Sequence, residues 1–303
     1  MNNFIEYFYG IKADKILYND NYYSFVYDGY LHRLYFITDD YEQIKLIYEI
    51  NKFLVTKTLV SEILLNINND IVSNYNDSNY VLIKLFVNIK KKICLEEINL
   101  LSKSMYTESK NNNWGILWSN KIDYLEDLIN ENGKKYPLIV DSFNYFIGMC
   151  ENAISYFNSI KIDNNDKYFI SHKVIKFDDN VDALYNPMNI IFDFRVRDVA
   201  EYIKNSFFNY NYNIFDELIY YLKYNSLSLS EVKLLVARLL YPSFYFEMYE
   251  DILINGKDEK ILINIISRLD EYETYLYNVI SFLKNYYNIE EINWLKINKT
   301  DTM

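Results

Sequence analysis

The chain has 303 residues, half of them hydrophobic, and carries 42 Asp and Glu against 31 Lys and Arg, a net charge of −11. That balance argues against nucleic acid or an anionic membrane as the main partner, because phosphate contacts need clustered Lys and Arg, and no stretch reaches the ~20 apolar residues of a membrane span. Two cysteines, Cys94 and Cys150, are too far apart for a C-x-x-C motif, so neither a disulfide framework nor a zinc site is expected, and reduced thiols are.

The N-terminus, MNNFIEYFYGIKADK, lacks the basic start, apolar core and small-residue cleavage site of a secretory signal, so cytoplasmic synthesis is expected. YYSFVY-DG-YLHRLYFI (22–37) places two β-rich runs around Asp28-Gly29, a strong hairpin signal. Asp39 then opens D-D-Y-E, a capping box with Glu42, followed by Ile44, Ile47, Tyr48 and Leu54 at helical spacing. LVSEILLNI (59–67) and YVLIKLF (80–86), separated by NNDIVSNYNDS, suggest a second hairpin. Residues 1–88 therefore read as a small β-rich lobe, and the run Lys90-Lys91-Lys92 as a solvated element end.

Residues 89–303 read as a mostly helical lobe. CLEEINLLSKSM (94–105) is amphipathic, NNNWG (111–115) a loop, and ILWSNKIDYLEDLINE (116–131) a second helix stopped near Gly133. Across 141–157, Phe143, Phe146, Ile147, Cys150, Ile154 and Phe157 share one face, which fits a core helix. Residues 160–194 hold short strands and loops, including KYFISHKVIKF and NIIFDF. Helices are then expected over 198–208, 214–224, 228–240 (with a Ser228/Glu231 capping box), 243–254 and 259–285, with Pro242 as a break and a frayed tail after Trp294. The stripe Tyr241, Phe244, Tyr245 and Met248 reads as core. The 33 tyrosines admit a cross-linking or sugar-stacking surface, but Tyr, Asn, Ile and Lys have A/T-rich codons, and a low-GC bacterial genome accounts for them.

A sheet lobe, a helical lobe and an intervening insert bearing His172 and Asp193 form a protein-kinase-like plan. The segments D-F-R-V-R-D-V-A-E-Y-I-K (193–204), W-G-I-L-W-S-N-K-I-D-Y-L-E (114–126), Y-F-I-G-M-C-E-N-A-I-S-Y (145–156), S-H-K-V-I (171–175) and L-L-V-A-R-L-L-Y-P-S-F-Y-F-E-M-Y-E (234–250) together resemble one family. It is the spore-coat-associated, kinase-like proteins of endospore-forming bacteria (the CotS/YutH type, with the YutH branch most similar), related to aminoglycoside and choline phosphotransferases. The resemblance implies an α+β, protein-kinase-like bilobal fold of the aminoglycoside phosphotransferase type, with a small sheet lobe and a larger helical lobe. It also implies that His172, Asp193 and Asp198 converge near the cleft.

Phosphoryl transfer needs a phosphate cover, a lysine on the phosphates, a carboxylate at the acceptor hydroxyl and oxygen ligands for magnesium. Active relatives carry H-x-D in the catalytic loop; S-H-K-V puts His172 at the first position and Val174 where the aspartate belongs. Asp179 falls where the magnesium asparagine would sit, LYFI (34–37) has no lysine, and Arg33 is the nearest cation. One glycine, Gly29, cannot present the row of N–H groups that cradles phosphates. Asp193 alone stands at a catalytic-type position, that of the family's magnesium aspartate, and reads as a retained structural or weakly cation-binding carboxylate, with catalytic magnesium as the alternative. Asp198 reads as a helix cap closing a capping box with Glu201 and, by resemblance, bracing the catalytic loop. His172 reads as a structural histidine bonding backbone near Asp193.

The expectation is a pseudokinase: a kinase-like fold acting as a binding or assembly module, without a cofactor, whose partners are other proteins such as spore-coat components. The alternative is a divergent phosphotransferase of small molecules that uses ATP and Mg2+, with Asp193 as a metal ligand. A nucleotide-binding regulator without turnover lies between the two. No H-x-x-x-H, H-E-x-x-H or G-x-S-x-G pattern points to a zinc enzyme or a serine hydrolase.

Overall fold

The chain opens on a helix that periodicity did not single out, α1 (Asn2–Tyr9), closed by Gly10 in the left-handed conformation (φ 65°), whose N–H returns to the Glu6 carbonyl. The computed structural model describes residues 1–19, 22–38, 40–56, 61–85, 92–108, 113–162, 167–176, 181–210 and 215–295. The chain divides into two units: Met1–Ile93 with His172–Val174 and Asp178–Ile191, and Cys94–Ser171 with Ile175–Phe177 and Phe192–Met303.

In the first unit, β1 (Leu17–Asn19) precedes the expected hairpin of β2 (Tyr22–Tyr27) and β3 (Tyr30–Ile37). Its turn residues Asp28 and Gly29 both take positive φ, 49° and 75°, the geometry that matches the twist of paired strands. Helix α2 (Tyr41–Val55) is capped by Asp40, whose carboxylate accepts the Gln43 N–H. The cap thus sits one residue beyond the one expected, and Asp39 lies outside the described residues. β4 (Glu62–Leu64), β5 (Ser73–Tyr75) and β6 (Ser78–Leu85) follow, and the tight turn falls at Asn76-Asp77. The antiparallel sheet runs β1-β2-β3-β6-β4, with β5 also on β6.

Alternation along β6 gives this sheet two apolar faces. Tyr80 and Leu82 pack with Phe4, Ile5, Phe25 and Leu34 on the α1 side. Val81, Ile83 and Leu85 pack with Ile44 and Ile47 of α2. Between α2 and β4, the buried Asn51 amide donates to the Ser61 carbonyl (2.6 Å) and accepts from Ile63 N–H (2.9 Å), which fixes where the helix meets the strand.

The second unit begins with α3 (Leu95–Ser102) and a short β7 (Tyr106–Glu108). Helix α4 (Trp114–Asn132) starts two residues earlier than expected, because the Asn113 side chain caps it by accepting Ile116 N–H; Trp114 and Gly115 are helical, not loop. Helix α5 (Pro137–Asn158) buries Phe143, Phe146, Ile147, Cys150 and Phe157, as the pattern required. β8 (Lys167–His172) and β9 (Ile190–Asp193) follow, and β7-β8-β9 form a three-stranded sheet; the four-residue α6 (Val181–Leu184), between β8 and β9 in sequence, belongs to the first unit.

The remaining helices are α7 (Arg197–Tyr210), α8 (Phe215–Tyr224), α9 (Leu229–Leu240), α10 (Ser243–Leu253), α11 (Ile263–Ile266) and α12 (Leu269–Lys284). Ser228 and Glu231 form the expected capping box. Tyr241, Phe244 and Tyr245 are core and Met248 is half-buried. The single helix expected over 259–285 is instead a 3-10 turn (Glu259–Leu262) followed by α11 and α12. The break has a tertiary cause. Arg268 turns its guanidinium to the Phe207 carbonyl, and Asn264 donates to Phe208 O (2.6 Å), so contacts with the end of α7 override helical periodicity.

Candidate functional site

The residues singled out by sequence fall into separate units. His172 and Val174 belong to the first, Asp193 and Asp198 to the second.

In the first unit His172 is buried, and its Nε2–H donates to the Leu184 carbonyl at 2.8 Å. It is a backbone-bonding histidine as expected, but its carbonyl comes from α6. Val174 is 49% exposed. The Asn189 side chain holds its backbone from both sides, accepting Val174 N–H at 3.0 Å and donating to Val174 O at 2.6 Å. A valine side chain there neither takes a proton nor accepts a hydrogen bond. Asp179 lies outside the described residues. Arg33, the nearest cation to the expected lysine position, is committed to aromatic neighbours: it lies over the Tyr22 ring, 5.0 Å from its centroid, and hydrogen-bonds the Tyr35 hydroxyl. His32 is buried, stacks on Phe25 and bonds the Tyr30 carbonyl through Nδ1; burial lowers its pKa.

In the second unit Asp193 ends β9 and is 4% exposed. It does not present an open carboxylate. Oδ1 accepts the Phe194 N–H (2.8 Å) and the Trp114 indole N–H (3.0 Å), which also lies 3.2 Å from Oδ2. Oδ2 accepts from Arg197 Nη1 at 2.9 Å. Trp114 is held in turn by Phe194 edge-on (5.0 Å) and by Trp118 (5.4 Å). Gly115 lets this helix start approach the end of α5: a Cβ there would meet Asn158 Oδ1 at 2.6 Å and Phe157 at 3.2 Å.

Asp198 and Glu201 do not form the expected capping box. The first intrahelical bond of α7 runs from Ala200 N–H to Val196 O, so Asp198 lies inside the first turn, buried, where the helix dipole favours a carboxylate. Glu201 points elsewhere because stronger donors claim it. Its Oε1 accepts from Lys204 Nζ (2.9 Å) and Arg238 Nε (2.6 Å), its Oε2 from Ser243 Oγ (2.7 Å).

Lys204, 1% exposed, also donates to the carbonyls of Arg238 and Tyr241, each at 3.0 Å. Burial works against its charge and outweighs Glu201, lowering its pKa to about 8. Burial likewise opposes ionisation of Glu201, but Lys204, Arg238 and Ser243 prevail and hold its carboxyl well below the usual range. The Arg238 guanidinium lies over Trp114 (5.0 Å), Trp118 (5.7 Å) and Tyr241 (5.5 Å). The other arginine of D-F-R-V-R, Arg195, pairs with Glu231 at 3.1 Å.

Sequence reading found Asp193 but missed its partners. Two signals were present: Arg197 four residues on, and the tryptophan of the W-G-I-L-W segment. Neither is diagnostic without the fold, because Trp114 is 79 residues away in sequence. Elsewhere in the second unit, a concavity of about 780 Å³ is lined by Phe207, Phe215, Arg268, Asp270 and Glu271, among others. None of the residues singled out by sequence lines it.

A phosphotransferase of this plan uses a divalent metal and ATP, and the residues around Asp193 do not fit the metal. The Asp193 oxygens are taken by N–H donors, one of them cationic, and among the described residues no three His, Cys, Asp or Glu side chains gather to hold a metal ion.

A family described as "Spore coat putative kinase YutH" matches residues 2–286. The endospore coat-associated protein YutH of Bacillus subtilis is 30% identical over 163 residues, which span 48% of this chain and 48% of that protein; the alignment thus covers about half of that relative. An aminoglycoside phosphotransferase from Alicyclobacillus acidocaldarius superposes with a TM-score of 0.65 at 11% identity, over 91% of this chain and 94% of that one. A spectinomycin phosphotransferase solved with ADP and spectinomycin gives 0.59 at 11% identity, over 91% and 92%. At such identities the likeness establishes the fold. It is the protein-kinase-like fold of aminoglycoside phosphotransferases, with an antiparallel sheet region and a larger helical one. Among the described residues, no helix is long and apolar enough to cross a membrane.

Proposed function

The chain belongs to the YutH family of kinase-like spore-coat proteins, and from that premise we propose that it is a pseudokinase: a kinase-like scaffold that binds other proteins during spore-coat assembly and transfers no phosphate. The observation that carries this reading is Val174. It stands where active relatives have the catalytic aspartate, and the Asn189 amide ties down its backbone. The coat association of the Bacillus subtilis relative supports protein partners in the coat, and the net charge of −11 speaks against nucleic acid and anionic lipid. The rival reading, a phosphotransferase of small molecules using ATP and Mg2+, draws on one observation, the aspartate kept at position 193.

Thermal melts with and without ATP and Mg2+ test the absence of a nucleotide cofactor. A ligand at 100 times its Kd stabilises a fold by about 2.7 kcal/mol; the expected outcome is no shift, and a clear rise in Tm would overturn this part of the reading. A fluorescent fusion followed through sporulation is expected to gather at the forming spore; diffuse signal in the mother cell would overturn the coat assignment.

A further inference from the structure

We propose that the Arg197 guanidinium is the resident cation of Asp193, standing where a phosphotransferase of this fold would place a divalent ion and closing that corner to metal. This rests on the pseudokinase reading but concerns only the second unit. Three donors converge on the carboxylate: a backbone N–H, an indole N–H and a guanidinium, at 2.8, 3.0 and 2.9 Å. A carboxylate offers about four lone-pair positions, and the Trp114 N–H reaches both oxygens (3.0 and 3.2 Å), so four contacts fill them and an incoming ion must displace at least one. None is easily displaced. The Phe194 N–H is adjacent backbone, Trp114 is packed among Trp118, Phe157 and Phe194, and the Arg197 guanidinium, on the first residue of α7, pairs with Oδ2 at 2.9 Å.

Charge points the same way. Arg197 already balances Asp193, and Arg238 acts electrostatically on the same carboxylate, so a divalent cation would enter against two guanidinium groups. Glu201 cannot offset them, since both its oxygens are engaged by Lys204, Arg238 and Ser243. Asp198 adds one buried carboxylate on the same helix, and no third acidic, His or Cys side chain joins it and Asp193 in a metal-holding group among the described residues.

The test titrates Mn2+ into the full chain labelled with 15N-tryptophan. Three tryptophans give three indole resonances, and Trp114→Phe assigns the one beside Asp193. An ion on Asp193 lies next to that N–H, and its paramagnetism would erase the signal. The wild type is expected to keep the Trp114 resonance. Arg197→Gln should lose it selectively, with Mn2+ binding on the order of tenfold tighter than in the wild type, and Asp193→Asn added to Arg197→Gln should restore it. Arg197→Lys, which keeps a cation, should behave as the wild type. Selective loss in the wild type that Asp193→Asn abolishes would overturn the proposal, as would a folded Arg197→Gln variant that keeps the resonance. If Arg197→Gln does not fold, the wild-type and Arg197→Lys titrations decide, because loss of the signal in either overturns it. No nucleotide is present, so failure here is separate from failure of the pseudokinase reading, which only turnover would overturn.

Discussion

Asp193→Ala removes the acceptor for three donors at once, and its cost follows from their burial. Breaking a buried ion pair from one side costs about 3–5 kcal/mol, because the surviving charge loses its partner. The Arg197 side chain is 16% exposed, so water reaches it and moves the figure toward the lower end. The Trp114 and Phe194 N–H groups each lose an acceptor, worth about 1–3 kcal/mol when the donor stays buried. Water entering the vacated space relieves part of both losses, so they do not simply add, and the expected total is about 3–5 kcal/mol. Urea unfolding followed by tryptophan fluorescence reads it out, since Trp114 and Trp118 lie at the site. With a slope of about 3 kcal/mol per M, the midpoint should fall by about 1–1.7 M. Asp198→Ala, removing a first-turn carboxylate, should cost about 1 kcal/mol. Asp198, read from sequence as a cap that braces the catalytic loop, thus matters less to stability than Asp193, because Asp193 holds three donors. An Asp193→Ala midpoint equal to or above that of the wild type would refute the reasoning.

Glu201→Gln should cost about 3–5 kcal/mol by the same urea assay, because Lys204 and Arg238 would lose their shared anion; a change below about 0.5 kcal/mol would contradict it. Val174→Asp should not create phosphate release from ATP, since Asp193 remains engaged and the strand lysine is still absent; any release above background would contradict it. Above pH 10 stability should fall. Burial pushes the Tyr221 and Tyr245 phenols up to about 12 from 10.0, so their stabilisation is complete below pH 10 and is lost as pH climbs toward about 12. Lys204, lowered to about 8 from 10.5, acts oppositely between those values, but it is one group against several buried phenols. A urea midpoint that rises between pH 10 and 12 would contradict this. At the acid end, the lowered Glu201 carboxyl stabilises the fold above its unfolded value of 4.5 and loses that effect as pH falls below it, so Glu201→Gln should flatten acid unfolding.

Local signals were legible where one short segment decides the outcome. Asp28-Gly29 specified its hairpin because both residues accept positive φ, and Ser228 with Glu231 specified the start of α9 because the box closes within four residues. Ends set by distant partners were not legible. Helix α4 takes in Trp114, which meets Asp193 across 79 residues, and the 259–285 run breaks where Arg268 reaches Phe207. The same limit governed the site. Position told which residue matches the metal aspartate, whereas its actual partner, Arg197, depends on how β9 turns into α7. Glu201 fitted a capping box in sequence but is drawn away by Arg238, whose position comes from α9 packing on α7.

Single-turnover release of phosphate from radiolabelled ATP with Mg2+, measured for the wild type and for Asp193→Asn, bears most directly on whether this kinase-like fold transfers phosphate. Wild type and variant are both expected to match the protein-free background. A wild-type rate above background that disappears in Asp193→Asn would mean that Asp193 serves catalysis, and the pseudokinase reading would fail.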